Sequence, residues 1–318
     1  MNLNHAPYTY NIHTHTYAYT RIHTHRMSAS ASASASIPKV VTAVVNNPVF
    51  IEMQHRTLKR HFKGEYEFIV FNDAKDFPDF SNGNDVTMRR QIQDTCRALN
   101  IPCIYVPNEH HKTNRDAAKR CADSMNFMLQ YQKHKPGKYL CLDSDMFLVA
   151  DFDVTKYAGY DCAVVLQSRP PGMHYIWNGI YYFDMTRMKH TGLLNWNCCP
   201  NCDVGGMMQR WLAATVGGGA MPSTDEIRWT NQEFHTPSVY FMKHLWSGSW
   251  DLTELPHGLK QNTQLVEFLQ RDPRNANGKI FCEIYDGVFL HYRAGGNWRN
   301  EGASFHARLS QWLKQCLV

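Results

Sequence analysis

The chain has no apolar run long enough to cross a membrane. Runs such as residues 40–45 stop far short of the roughly 20 residues that a helical span needs. No charged-then-apolar leader opens the chain either, so the expectation is a cytoplasmic protein without a membrane span. Also missing is a long basic run interleaved with aromatic residues, which argues against a nucleic-acid groove and a nucleic-acid partner. The net charge of +5 comes with acids and bases mixed along the sequence, a mild basicity that suits phosphorylated ligands. Charged residues make up only 19% against 43% apolar, which excludes wholesale disorder. A length of 318 residues suits one large domain with a sizeable core.

A second cysteine pair at zinc spacing is absent as well. The ten cysteines are scattered, several of them inside apolar runs such as Tyr139-Leu140-Cys141-Leu142, as expected of reduced core thiols. Within Cys198-Cys199-Pro200-Asn201-Cys202 the C-x-x-C spacing suits a zinc ion, a disulfide or an ordinary loop.

What is there begins with an N-terminal segment unlike the rest. Ile12-His13-Thr14-His15 is echoed at Ile22-His23-Thr24-His25, and an alternating Ser-Ala tract follows to Ser36. Residues 1–36 read as a disordered extension, or as sequence upstream of a start at Met27, and residues 37–318 as a single domain. The His-x-His pairs can bind metal only at the cost of ordering a flexible chain.

From Lys39 onward strand-like and helix-like segments alternate, the pattern of an α/β sheet covered by helices. Residues 40–45 read as a buried strand, 48–62 as a helix opened by Pro48, and 67–71 as a strand ending at Asn72-Asp73. A second unit has a helix over 88–99 and a strand over 102–106. Asn114 is then expected to cap a helix with Ala118, Cys121, Ala122, Met125, Met128 and Leu129 on one face, stopped by Pro136-Gly137. The apolar strand 138–142 follows and runs into Asp143-Ser144-Asp145.

Ligands of open α/β sheets bind beyond the carboxyl ends of the strands, where this triplet lies. Residues i and i+2 of an extended segment face the same side, so a persisting strand lets both aspartates converge on one cation. Two hard carboxylates suit Mg²⁺ or Mn²⁺.

At this point the sequence resembles the nucleotide-sugar-dependent glycosyltransferases of the A-type (GT-A) fold, most closely the retaining glycogenin-like and galactosyltransferase-like families. The resemblance runs from about Lys39 to Trp298. It rests on the order of Leu142-Asp143-Ser144-Asp145, the segment from Asn178-Gly179 to Asp184, Asn231-Gln232-Glu233, and His291-Tyr292-Arg293-Ala294-Gly295-Gly296-Asn297-Trp298. It implies a single Rossmann-like domain with a central mixed sheet flanked by helices, and transfer of a hexose from a UDP- or GDP-sugar to a glycan, protein or small-molecule acceptor. By the same resemblance Asp143 and Ser144 meet the nucleotide, while Asp143, Asp145 and His291 hold the metal. The imidazole tilts the choice toward Mn²⁺, with Mg²⁺ as the alternative; His291 is otherwise a core histidine after a strand.

The remaining site residues divide by the part of the donor they would meet. Gly295 and Gly296 would let backbone amides approach the diphosphate, with Arg293 or Arg299 as its cation and Asn297 where the family commonly has lysine. Trp298 closes that motif. Thr42, Asn46, Asn72, Asp73 and Arg115 fall where the family holds the nucleotide, and each is equally a capping or surface residue. Asn178-Gly179 reads either as a type I′ hairpin turn or as an amide placed beside the donor sugar.

Asp225 and Glu226, after Ser223-Thr224, read either as the first turn of a helix or as acids near the reacting carbon, with Glu233 as their rival. Trp177, Trp229, Trp246, Trp250 and Trp298 are candidate sugar platforms. Two other readings stand beside this one. A D-x-D phosphohydrolase would use Asp143 as nucleophile. A nucleotide-sugar-binding module without catalysis is kept in view by Asn231 and Asn297, where the family's motif residues are replaced.

Overall fold

Val40, Val41 and Val44 are fully buried in a strand flanked on both sides, which explains why residues 39–44 are apolar rather than alternating. The computed structural model describes residues 37–78, 85–169, 172–217, 221–295 and 302–318. The segment 1–36, with its expected extension and its His-x-His pairs, lies outside them. So do Gly296, Asn297, Trp298 and Arg299.

The first half alternates β1 (Lys39–Val44), α1 (Pro48–His61), β2 (Glu67–Asn72), α2 (Met88–Ala98), β3 (Cys103–Tyr105), the short α3 (His110–Thr113), α4 (Ala117–His134) and β4 (Lys138–Leu142). The second half holds β5 (Met146–Leu148), β6 (Cys162–Arg169), β7 (Met173–Asp184), α5 (Gln209–Val216), β8 (Phe234–His235), β9 (Val239–Phe241) and β10 (His244–Leu245). It ends with α6 (His257–Lys260), α7 (Thr263–Arg271), β11 (Glu283–Tyr285), β12 (Phe289–His291) and α8 (Ala303–Leu317).

An eight-stranded mixed sheet runs β3-β2-β1-β4-β7-β6-β9-β8, and a four-stranded antiparallel sheet runs β10-β11-β12-β5. Helices flank the central sheet, as expected of an α/β domain. β3, β2, β1 and β4 are parallel. The chain steps outward from β1 to β3 and then returns to the other side of β1, so a topological switch point lies between β1 and β4.

α1 starts where Asn47 accepts from the Val49 amide at 3.2 Å and Pro48 supplies a preset φ. α4 does not start at Asn114 as expected. Its cap is Asp116, which accepts from the Ala118 amide at 2.9 Å, while Asn114 accepts from the Asp116 amide one turn earlier. Arg115 therefore precedes the helix instead of lying on it. The expected apolar face does pack inward, with Ala122, Met125, Met128 and Leu129 buried.

No helix start follows Ser223. The Ser223 amide donates to Glu226 at 2.6 Å and the Glu226 amide reaches back to the Ser223 hydroxyl at 3.2 Å, but this reciprocal cap closes one turn only. The buried Ile227 and a bridge from Arg228 to His244 then pull the chain onto the second sheet. Eight cysteines are free, and Cys199 and Cys202 pair as a disulfide, one of the outcomes their spacing allows. No helix among the described residues is long and apolar enough to cross a membrane.

Candidate metal centre

β4 of the large sheet passes into β5 of the small one through a tight turn, and the two aspartates lie in that turn. The extended geometry expected for Asp143-Ser144-Asp145 is not found. The Met146 amide donates to the Asp143 carbonyl at 3.1 Å, closing a turn, and the Ser144 amide donates to Asp143 Oδ1 at 2.8 Å. Buried Gln54 on α1 fixes this corner, its amide donating to the carbonyls of Asp143 and Met146 at 2.8 and 3.1 Å. On the other side the Asp143 amide donates to the Gly179 carbonyl at 2.7 Å. The turn, rather than strand periodicity, brings the two carboxylates together.

The third member arrives through sheet register. β5 pairs with β12 so that Met146 faces His291, which sets the imidazole beside the neighbouring Asp145. His291 Nε2 lies 3.1 Å from Asp145 Oδ1 and 3.9 Å from Asp143 Oδ2. One ligand atom from each of the three side chains lies within 4.8 Å of the others. Asp145 Oδ2 accepts the Gly295 amide at 2.7 Å. A side chain at Gly295 would collide with Phe50 and Asp145 at 2.5–2.8 Å, so the close backbone approach expected of this glycine is made here to Asp145.

A residue not anticipated from sequence completes the cluster. Glu283 on β11 faces His291 directly in the antiparallel pair, and its Oε2 accepts from His291 Nδ1 at 2.7 Å and from the Tyr285 hydroxyl at 2.8 Å. A signal for it exists in the sequence: Asp286-Gly287 is a turn pair between apolar runs, and both residues have positive φ here. Reading that hairpin places Glu283 opposite His291.

The electrostatics follow from three carboxylates around one imidazole. Burial alone would lower the His291 pKa, but the charges and hydrogen bonds of Asp145 and Glu283 raise it to about 10. Burial would likewise raise Asp145 and Glu283, yet the imidazolium holds both below their ordinary values. Asp143, with 38% of its side chain open, is raised to about 6 by the surrounding protein and then by the Asp145 charge.

This donor set fits a divalent cation. Two carboxylates and an imidazole nitrogen converge from one side, and a carboxylate behind the histidine fixes its Nδ1–H so that Nε2 faces inward, the usual support of a metal-binding imidazole. In the arrangement seen, the imidazolium supplies the positive charge that a bound cation would otherwise bring.

Asn178-Gly179 is not a hairpin turn; it lies inside the 12-residue strand β7. The β6–β7 register jumps from Val164↔Tyr181 to Leu166↔Ile176, so three extra residues bulge out of β7 at this point. Such bulges re-aim side chains. Here Trp177 stacks on Tyr285 with ring centroids 5.0 Å apart and lies 5.2 Å from the His291 ring, while Trp246 meets it edge-on at 6.1 Å. A Cβ at Gly179 would sit 2.1 Å from the Trp177 ring, so glycine is what leaves room for it. Asn178 Nδ2 donates to the Cys121 sulfur at 3.5 Å.

The other expected site residues are spread along two regions. Thr42 is buried on β1 with its hydroxyl unpartnered, and Asn46 is half-buried after that strand. The Asn72 carboxamide is engaged by Arg89 and Ala74 at 2.9 and 3.2 Å. Asp73 is buried against His110 and His111. Arg293 has φ 64° and donates to the Ser247 hydroxyl at 2.9 Å.

Asp225, Glu226 and Glu233 make their contacts elsewhere. The Asp225 carbonyl accepts from Asn231 at 2.7 Å, Glu226 is held by Ser223, and Glu233 accepts from Tyr240 at 3.1 Å and faces Lys156 at 3.8 Å. Trp250 is fully buried with its indole nitrogen donating to the Cys282 carbonyl at 2.9 Å, which makes it core. Trp229 lies under Lys243 and fills the space beside Gly287.

No family model and no curated protein matches the chain. Solved structures do match. A galactosyltransferase, LgtC, in complex with donor and acceptor sugar analogs is 14% identical with a TM-score of 0.33, over 47% of this chain and 58% of that one. The apo structure of WbbM, a bifunctional glycosyltransferase, is 12% identical with a TM-score of 0.29, over 50% of this chain and 33% of that one. The match thus spans less than two thirds of either protein.

Proposed function

We propose that the chain is a metal-dependent glycosyltransferase of the A-type fold that moves a hexose from a UDP- or GDP-sugar to a glycan, protein or small-molecule acceptor, with retention. The observation that carries this reading is the meeting of Asp143, Asp145 and His291, the histidine 146 to 148 residues from the aspartates in sequence, beside the switch point of the parallel strands.

In this reading Asp143, Asp145 and His291 hold Mn²⁺ or Mg²⁺, and Glu283 orients the imidazole. When bound, the ion supplies positive charge to the nucleoside diphosphate that departs from the sugar. Thr42, Asn46, Asn72, Asp73, Arg115 and Ser144 would face the nucleotide and Arg293 with Gly295 the diphosphate, a role that Gly296 and Trp298 have from the sequence resemblance alone. Asn178 lies on the donor-sugar side with Trp177 and Trp246 as an apolar wall that excludes water. Asp225, Glu226 and Glu233 remain the candidates near the reacting carbon. Retention removes the need for one of them to act as base, since the departing phosphate oxygen can take the acceptor proton.

Purified protein incubated with a panel of UDP- and GDP-sugars and Mn²⁺ tests the reading. Donor hydrolysis that Asp145→Ala abolishes is the expected result. Phosphomonoester turnover would instead indicate a phosphohydrolase with Asp143 as nucleophile, and tight donor binding without turnover a module that has lost catalysis.

A further inference from the structure

Two strands away from Asp143, at the carboxyl end of β2, a second group of metal-binding side chains closes around Asp73. The Asp73 amide donates to the Val44 carbonyl at 2.9 Å, which fixes the residue where β1 and β2 both end. α3 crosses this point and delivers two consecutive imidazoles. His110 Nε2 lies 3.2 Å from Asp73 Oδ1, and His111 Nε2 lies 3.2 Å from Asp73 Oδ2. The two rings sit side by side with centroids 4.2 Å apart. Ser124 on α4 donates to Asp73 Oδ2 and holds the carboxylate from behind.

Hydrogen bonding alone does not account for the group. Asp73 is 1% exposed, and its Oδ2 meets Ser124 and, at 3.3 Å, His110 Nε2; its Oδ1 makes no hydrogen bond although His110 Nε2 is 3.2 Å away, and the buried His111 Nδ1 is also unpartnered. His111 Nε2 also approaches the Asp73 carbonyl at 2.8 Å. An orphaned carboxylate oxygen in a dry site costs on the order of 1–3 kcal/mol. The spacing has a simple explanation in coordination chemistry. Ligand atoms about 2.0–2.2 Å from a tetrahedral ion lie about 3.3–3.6 Å from one another. His110 Nε2 and His111 Nε2 lie 3.3 and 3.2 Å from the same oxygen, Asp73 Oδ2, close to that edge length.

We propose that Asp73, His110 and His111 form a second cation site, taking a first-row transition-metal dication of the Zn²⁺ type and leaving one coordination position open. Two imidazoles with one carboxylate form a softer donor set than the two carboxylates and one imidazole at Asp143, Asp145 and His291, so the two sites differ in selectivity. With neighbouring strands about 4.8 Å apart, the exits of β2 and β4 stand about 10 Å from each other across β1. The second site therefore lies on the same edge as the first without sharing a ligand with it; it takes Asp73 out of the nucleotide end of the sugar-transfer reading and leaves the other roles in that reading unchanged.

Counting bound Zn²⁺ per chain by equilibrium dialysis of chelator-stripped full-length protein tests the site. Asp145→Asn serves as the background, because it weakens the first cluster and leaves the second intact. In that background, adding His110→Gln and His111→Gln is expected to remove one Zn²⁺ per chain and to abolish the visible absorption of a Co²⁺-substituted sample. The N-terminal His-x-His pairs contribute equally to both proteins and cancel in the difference. Should the double change unfold the chain, His110→Gln alone decides, since that side chain is 12% exposed and reaches the surface. It is expected to weaken Zn²⁺ binding by more than the roughly 10–100-fold that loss of a supporting residue costs. A folded His110→Gln protein with unchanged Zn²⁺ count and affinity would overturn the proposal and leave a buried Asp-His-Ser network in its place.

Discussion

Asp145 divides its two oxygens between His291 and the Gly295 amide, so it ties the second sheet to the chain that follows β12. Changing it to Asn keeps the shape but removes the charge. Donor hydrolysis by Asp145→Asn is expected to fall about 10²–10³-fold, the scale of losing one preorganised electrostatic group, while the circular dichroism spectrum stays that of the parent. Unaltered hydrolysis would remove Asp145 from the chemistry. Among the described residues Glu283 bonds or pairs with His291, Tyr285, Arg293 and the Ser247 amide, so its role is to position. Glu283→Gln is expected to weaken Mn²⁺ binding about 10–100-fold, read by the free-Mn²⁺ electron paramagnetic resonance signal. A variant that binds Mn²⁺ as the parent does would reduce Glu283 to a core residue. His244 carries a pH dependence of a different kind. Burial lowers its pKa from 6.5 to about 4, against the opposing charge of Glu283. The unfolded chain therefore binds the extra proton first on acidification, and the stability owed to neutral His244 is complete above about pH 6.5 and lost as pH falls toward 4. Relative to His244→Gln, the parent should lose about 2 kcal/mol between about pH 7 and pH 5, measured by urea denaturation. Parallel pH curves for the two proteins would contradict this.

Elements explain which parts of the site were legible in the sequence. β1, α1, β2, α2, β3 and β4 were readable to within about a residue or two, because local signals bound them: Pro48 after a buried valine run, Asn72-Asp73 after an apolar run, Pro136-Gly137 after an amphipathic helix. The pairing of Asp143 and Asp145 was readable too, although the device is a β4–β5 turn and not the assumed extension of β4. What local pattern could not give was anything set by register. Asn178-Gly179 has the composition of a turn, but pairing of the flanking residues with β4 and β6 keeps it inside β7 as a bulge. Ser223 to Glu226 has a helix cap without a helix, because Ile227 is drawn into the core. Glu283 was missed because an acid in an apolar run acquires meaning only once the Asp286-Gly287 hairpin sets it against His291. His110 and His111 were passed over because nothing local joins them to Asp73. The bulge makes its own prediction. Gly179→Ala would place a methyl group within the Trp177 ring, and the displaced ring would disturb His291. We expect a stability loss of about 1–3 kcal/mol together with weaker Mn²⁺ binding. Lower stability with unchanged Mn²⁺ affinity would separate the bulge from the metal centre.

At the level of the molecule, two sheets meet where one strand becomes the next. The parallel half presents strand ends and a switch point, the small antiparallel sheet carries His291 and Glu283, and the turn from β4 to β5 belongs to both. A site assembled this way depends on the docking of the two sheets, which is why its ligands lie so far apart in sequence. The apolar wall of Trp177, Trp246 and Tyr285 is built from β7 of one sheet and the neighbourhood of β10 and β11 of the other, so sheet docking also shapes the space beside the cluster. The most direct measurement is an anomalous difference map from crystals soaked with Mn²⁺ and a nucleoside diphosphate. The account predicts a peak bounded by the carboxylates of Asp143 and Asp145 and by His291 Nε2, with Glu283 still on Nδ1. A map with no peak there, and the imidazole still bonded to Asp145, would contradict it.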